Sequence, residues 1–281
     1  MTVPATADVY AGSASVRQDG LSAAAPARAQ PLPPNTMIER MTLILDAFDS
    51  GTPKLSLLEL AERTGLPRST LHRILDQMIR LRWLAHSVGG YRLGMRTLEL
   101  GGLAAGHSEI RDVVGPLLHE LCRRTGFVGH LAVLDGREVV FLDKVGGRFA
   151  ANLPTRLGGR LPAHTTAVGK AILASLDPHH IEATYPARLP VRTPRSIRTL
   201  AGLHNELARI RRLHGVAMDN EECLTGISCV AAPLRGRGPA TAALSLSGDA
   251  QAMDLGQVAP VVLEVACEAA LTLYSSRRPR L

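Results

Sequence analysis

Apolar residues recur at helical spacing in two short neighbouring runs, and this pair organises the reading of the whole chain. The first run holds Leu57, Leu60 and Ala61, and the second Leu71, Ile74, Leu75 and Met78, with polar residues between. Ser56 followed three residues on by Glu59 is a capping box, so a helix should start at Ser56. Thr64-Gly65 supplies a residue able to take the positive φ that ends it. Pro67, whose missing N–H is harmless in a first turn, is expected to open the second helix. Its four apolar residues share about 100° of a 3.6-residue wheel and should face a core. The opposite face carries Ser69, Arg73, Asp76 and Arg80, flanked by Thr70, His72 and Gln77, with Arg68 in the first turn. Short hydroxyls that meet phosphate and arginines that fork onto guanine edges are what a helix-turn-helix reader presents to DNA. An ordinary helical hairpin with a solvated polar face is the alternative.

The flanking patterns extend this unit. Upstream, Met37, Met41, Ile44, Leu45 and Phe48 line one side of a helix expected to end at Ser50-Gly51-Thr52-Pro53. Downstream, WLAHSVGGYRLG has extended candidates on either side of Val88-Gly89-Gly90, the hairpin of a winged helix, with Arg92 placed to reach phosphate and Trp83 in the core. Met95–Gly106 reads as a helical connector and Ser108–Thr125 as an amphipathic helix. Phe127–Leu134 and Arg137–Val145 then flank Asp135-Gly136, a hairpin signal. Thr165–Leu176 and Arg198–Leu213 read as helices, Ile227–Leu234 and Ala240–Leu246 as strands, and Leu255–Tyr274 as a closing helix. The fold class expected is α+β, an N-terminal winged helix-turn-helix followed by an antiparallel sheet flanked by helices. Four segments are expected: a disordered tail (1–34), the DNA-binding domain (35–94), a linker helix (95–106) and a second domain (107–276).

Composition adds limits. With 281 residues there is room for two cores, and 3% aromatic content means that Leu, Val, Ile and Ala must build them. A net charge of +7 suits a polyanionic partner, but the excess is not concentrated in the helix-turn-helix. The four cysteines form no CxxC pair, no apolar run approaches the ~18 residues of a membrane helix, and the N-terminus lacks a secretory pattern. A cytoplasmic, thiol-reduced protein with no membrane partner is therefore expected.

Candidate chemistry is sparse. Gly169-Lys170 invites comparison with a P-loop, but the required glycine and hydroxyl positions hold His164 and Ala171. What remains is a loop entering a helix, either a small-anion site or a simple cap. Asp219, Cys223 and Cys229 match no common zinc spacing. No catalytic constellation can be assembled, so no enzyme activity, metal or cofactor is expected.

Three motifs converge on a resemblance. AERTGLPRSTLHRIL, LPAHTTAVGKAILA, and GVAMDNEECLTGISCVAAPL followed by AALSLSGD together resemble the isocitrate-lyase-regulator (IclR) family of bacterial transcription factors, over about Asn35 to Tyr274. The resemblance implies a transcription regulator, acting as repressor or activator, with a GAF-like C-terminal domain that binds a small organic or aromatic acid effector. It also implies a homodimer or homotetramer on a palindromic double-stranded DNA operator. On the polar helix face and the wing read above, DNA contacts are expected from Arg68, Ser69, Thr70, His72, Arg73, Gln77 and Arg92. The effector residues carried over from the family are Thr166, Ala167, Val168, Asp219, Cys229, Ser245 and Ser247. Thr165, Thr166 and Val168 are larger than the family often has, which bears on effector size.

Overall fold

The structure, a computed structural model, describes residues 36–49, 52–106, 109–146 and 148–275. The expected disordered tail lies outside these residues. The first helix, α1 (Met37–Asp46), starts at a capping box the sequence reading did not use, in which Thr36 and Glu39 cap each other's backbone N–H. Helix α2 (Leu57–Thr64) starts as expected: Glu59 N donates to Ser56 Oγ at 3.2 Å, and Ser56 N donates to the Glu59 carboxylate at 2.7 Å. Gly65 ends it at φ 66°. Helix α3 (Arg68–Arg80) begins one residue later than expected. Pro67 is its N-cap at ψ 137°, extended, while its carbonyl accepts the first helical hydrogen bond from Leu71 N.

Leu71, Ile74, Leu75 and Met78 are all buried and join Ile44, Leu60 and Leu84 in one cluster. Strands β1 (Leu84–Ser87) and β2 (Gly90–Leu93) form the wing, with Ser87 opposite Gly90 across a Val88-Gly89 loop. Leu55 fastens the wing to the helices by exchanging both backbone hydrogen bonds with Tyr91, at 2.9 and 2.8 Å. Trp83 packs half-buried against this cluster, with the Arg96 guanidinium 5.3 Å from its ring. Helix α4 (Met95–Gly106) follows and exposes Met95, Leu98, Leu100 and Leu103.

The rest of the described chain builds an antiparallel sheet between two helical layers. Its strands are β3 (Val128–Asp135), β4 (Glu138–Val145), β5 (Arg160–Pro162), β6 (Ala217–Asn220), β7 (Ile227–Pro233) and β8 (Ala242–Asp249), in the order β5-β4-β3-β8-β7-β6. One face turns Leu131, Val230, Leu244 and Leu246 toward α5 (Glu109–Thr125) and α9 (Leu255–Ser275). The other turns Ala132, Ala217, Ala231 and Ala243 toward α6 (Ala167–Leu173), α7 (Pro178–Thr184) and α8 (Leu200–Arg212). Those alanines are small because α6 lies close over them.

Several local expectations shift. The β3–β4 turn is Gly136-Arg137, one residue on from Asp135-Gly136, because Asp135 pairs with Glu138 and Gly136 takes φ 62° as the first loop residue. Helix α6 is shorter than Thr165–Leu176, since Thr166 is held extended as its N-cap. The tract containing His179 and His180 forms α7, capped by Asp177. Strands β5 and β6 were not anticipated, being too short for a period-2 signal. Helix α9 reaches the length and apolarity of a membrane span, with mean hydropathy 1.4, where no such run was expected. Val262, Ala266, Ala269 and Leu273 instead pack into the core beneath the sheet.

Gly90 is a position in the wing where a side chain is poorly tolerated. Its φ is +121°, and a Cβ there would lie 2.4 Å from the Leu55 carbonyl oxygen. Gly90→Ala should destabilise the N-terminal cluster by about 2 kcal/mol or more, read by chemical denaturation followed through Trp83 fluorescence. An unchanged midpoint would show that the wing is not held by Leu55.

Candidate functional site

Two sites emerge, one on the surface of α3 and one inside the sheet. Arg68, Ser69, His72 and Arg73 are exposed on α3, Thr70 and Gln77 are half-buried at its flanks, and Arg92 is exposed on the wing. His72 Nδ1 lies 3.2 Å from Asp76 Oδ2 one turn on. Arg68, Arg73 and Arg92 form no ion pair with a described residue, which leaves their forks available for phosphate or base edges.

The interior site follows from strand register. Across β6, β7 and β8, Asp219 stands opposite Cys229 and Cys229 opposite Ser247. The adjacent row runs Ala217, Ala231, Ser245 and, on β3, His130. Antiparallel partners share a face, so both rows turn polar groups to the side covered by α6. Where α6 begins, a cavity of about 50 Å³ is left open. It is lined by Thr166, Ala167, Val168, Asp219, Cys229, Ser245 and Ser247, all seven of the interior residues singled out from the sequence. Also lining it are residues the sequence reading missed: polar His130, Thr155, Arg192 and Cys223, and apolar Phe141, Leu153, Pro154, Leu161, Leu224 and Ile227. His130 carried a faint signal, the one ring-bearing polar residue in an otherwise apolar strand. Thr155 and Arg192 carried none, because they arrive from irregular segments.

Most of the polar groups around the cavity are spoken for. Thr166 Oγ1 accepts from Gly169 N at 3.2 Å, while Ala167 and Val168 supply first-turn amides that have no intrahelical partner. Asp219 is 2% exposed, and its Oδ1 accepts from Glu222 N at 2.7 Å and Cys223 N at 3.3 Å, so it seats the loop that follows β6. Burial pushes its carboxyl up to about 7, against the pull of Lys170. The same loop is held from outside by Thr193 Oγ1, which donates to Glu221 O at 2.7 Å, and by Ser196 Oγ, which donates to Glu222 O at 2.7 Å. Burial also pushes the Cys223 thiol up to about 11 and holds the Cys229 thiol well above the ordinary thiol range, so both stay protonated. Among the described residues, no group of three or more His, Cys, Asp and Glu side chains is placed to hold a metal ion.

Lys170, which first suggested phosphate, faces away from any such use. It has no exposed surface, and its Nζ lies 2.5 Å from Glu222 Oε1 and 3.3 Å from Glu206 Oε1. Glu206 is shared with Arg209 through two contacts of 2.8 Å. The ammonium therefore ties α6 to α8 and to the cavity loop.

Comparison with known proteins follows the same division. Residues 37–87 match the IclR helix-turn-helix domain, and residues 103–273 match the bacterial transcriptional regulator IclR C-terminal domain. The chain is 37% identical to the HTH-type transcriptional regulator XynR of Escherichia coli (strain K12), over 75% of this chain and 84% of that protein. Among solved structures, it resembles an IclR homolog from Microbacterium hydrocarbonoxydans complexed with 4-hydroxybenzoate, with TM-score 0.73 and 28% identity, covering 85% of this chain and 98% of that one. The Thermotoga maritima IclR gives TM-score 0.69 at 28% identity, with the same coverage.

Two outcomes test this geometry. Lys170→Met strands Glu222 beside a buried apolar side chain and should destabilise the fold by about 3–5 kcal/mol in urea denaturation. A loss below about 1 kcal/mol would mean that the two glutamates are solvated without Lys170. For Asp219, the folded carboxyl titrates near 7 and an ordinary one near 3.8. The native state therefore binds a proton that the unfolded chain has released, and stability should fall as pH rises between those values. Asp219→Asn should flatten that part of the profile; an unaltered slope would place the titration elsewhere.

Proposed function

Because this chain belongs to the IclR family of bacterial transcriptional regulators, we propose that its hold on operator DNA is controlled by a small organic or aromatic acid bound in the cavity above the sheet. The convergence of Thr166, Ala167, Val168, Asp219, Cys229, Ser245 and Ser247 on one cavity carries this reading. First-turn amides and serine hydroxyls are suited to a carboxylate, and the apolar wall of Phe141, Leu153 and Leu161 to its hydrocarbon body. That a structural relative holds 4-hydroxybenzoate, an acid of this make, supports the class. Asp219 orders the loop instead of meeting the ligand's charge.

On the DNA side, the N-terminal segment (35–94) is the reader, with Arg68, Ser69, Thr70, His72, Arg73 and Gln77 at the major groove and Arg92 on the backbone. Residues 95–106 link it to the effector domain (107–276). The exposed apolar residues of α4 suit contact with a second copy, and a homodimer or homotetramer would copy its two-fold symmetry into a palindromic operator. The site is one for binding, not turnover.

The test is a DNA titration on the adjacent intergenic region, at fixed salt, with and without a panel containing 4-hydroxybenzoate and short 2-oxo acids. Arg68→Ala or Arg73→Ala should weaken DNA binding at least several-fold with the fold intact, about 1–3 kcal/mol where a guanine edge is lost. Ser245→Ala and Ser247→Ala should leave ligand-free DNA binding alone and weaken the acid about five- to a hundred-fold, with loss of its effect on DNA. Serine variants that keep full ligand affinity and full coupling would put the effector elsewhere.

A further inference from the structure

His130 sits at the centre of the sheet, across from Ser245, and is 2% exposed. Its ring bridges two hydroxyls: Nε2 is 2.8 Å from Thr155 Oγ1, and Nδ1 is 3.3 Å from Ser247 Oγ. Phe141 packs against it with ring centres 5.1 Å apart. Burial first, and the charge of Lys144 second, hold its pKa down to about 3, so the imidazole stays neutral with one N–H and one lone pair.

A neutral ring between two hydroxyls has two arrangements. If Nε2 carries the proton, it donates to Thr155, whose own hydroxyl proton is then free, and the Ser247 proton is spent on Nδ1, which leaves Ser247 only oxygen lone pairs for a ligand. If Nδ1 carries it, Thr155 donates to Nε2, the ring donates to Ser247, and the Ser247 proton is free. Lys144 distinguishes the two. Its ammonium donates to Thr155 O at 2.6 Å and Leu153 O at 2.9 Å, which puts positive charge on the Thr155 side of the ring. A lone pair is favoured there over an N–H. Cys229 stands opposite Ser247 across β7 and β8, with its sulfur beside the same hydroxyl.

We propose that His130 is a positioning residue of this cavity: as the Nδ1–H tautomer it donates to Ser247 and so turns the Ser247 proton toward a bound carboxylate. The proposal rests on the acid-effector reading above and deepens it. His130 decides which of the two hydroxyls offers its proton, and a Ser247 proton aimed at the ligand adds to what Ser245 and Arg192 on the same cavity supply to an acid.

The test has a ligand-free arm and a binding arm. In protein labelled with ¹⁵N-histidine, two-bond proton–nitrogen correlations report the tautomer, with the His130 signal identified by its absence in His130→Asn. A protonated Nδ1 and a bare Nε2 are expected; a protonated Nε2 overturns the proposal. In the binding arm, calorimetry compares benzoate with benzamide and butyrate with butyramide. Asn can set an amide N–H near the place of Nδ1, so His130→Asn should keep acid affinity within about threefold. His130→Gln, which reaches toward Nε2, and His130→Phe should lose about tenfold or more for the acid and much less for the amide. Equal losses in all three variants, with acid and amide falling together, would mean that the ring only fills space, and would overturn it. If neither acid binds the unaltered protein, the acid-effector reading fails, and the tautomer still decides the role of His130.

Discussion

The register of four strands is the constraint on which the C-terminal half depends. Side chains alternate faces with a period of two, so a one-residue slip of β8 against β7 would bury Ser245 and Ser247 among the leucines facing α5 and α9. The apolar alternates Leu244 and Leu246 prevent that slip, since it would bring them to the cavity in exchange. The same hydrophobic pattern that builds one core thus aims the polar groups of the other face, and the cavity's floor is a by-product of packing its opposite side.

Above that floor, a single buried ammonium joins the parts that surround the cavity. Lys170 lies on α6, whose first turn forms one wall, and it reaches Glu222 in the loop that forms another and Glu206 on α8. With Asp219 drawing the loop from inside, and Thr193 and Ser196 from outside, the loop has polar anchors on both sides. Groups so tied are coupled, and a ligand that shifts the loop must also disturb the ion pairs of a fully buried lysine. That is a physical means by which occupancy of a small cavity can be felt at the far side of α6 and α8.

The DNA-reading end is built with less margin. Its cluster is small and is closed by a wing tied in place by the Leu55–Tyr91 bridge and, at its base, by Trp83 N donating to Met78 O at 2.9 Å. The arginines of α3 add little to stability where they stand, being exposed and without ion-pair partners among the described residues. Their value lies in placement, which fits a chain whose positive charge is spread over its length.

Local chemistry determined much of this protein. The capping box at Ser56, the positive φ at Gly65, the buried face of α3 and the wing glycines depend on residues within a few positions of one another, and the chain states them directly. The cavity residues Ser245 and Ser247 were named by the resemblance to the family, and their spacing of two agrees with one face of a strand. Only the tertiary structure decided what those residues meet. His130 joins Ser247 from a strand more than a hundred residues away, Thr155 and Arg192 come from segments with no periodicity, and Lys170 finds its glutamates across three elements. Strands β5 and β6 exist because a neighbour's edge pairs them, not because their own three or four residues demand it. Contacts of that range depend on the register of the whole sheet, which no window of the sequence contains.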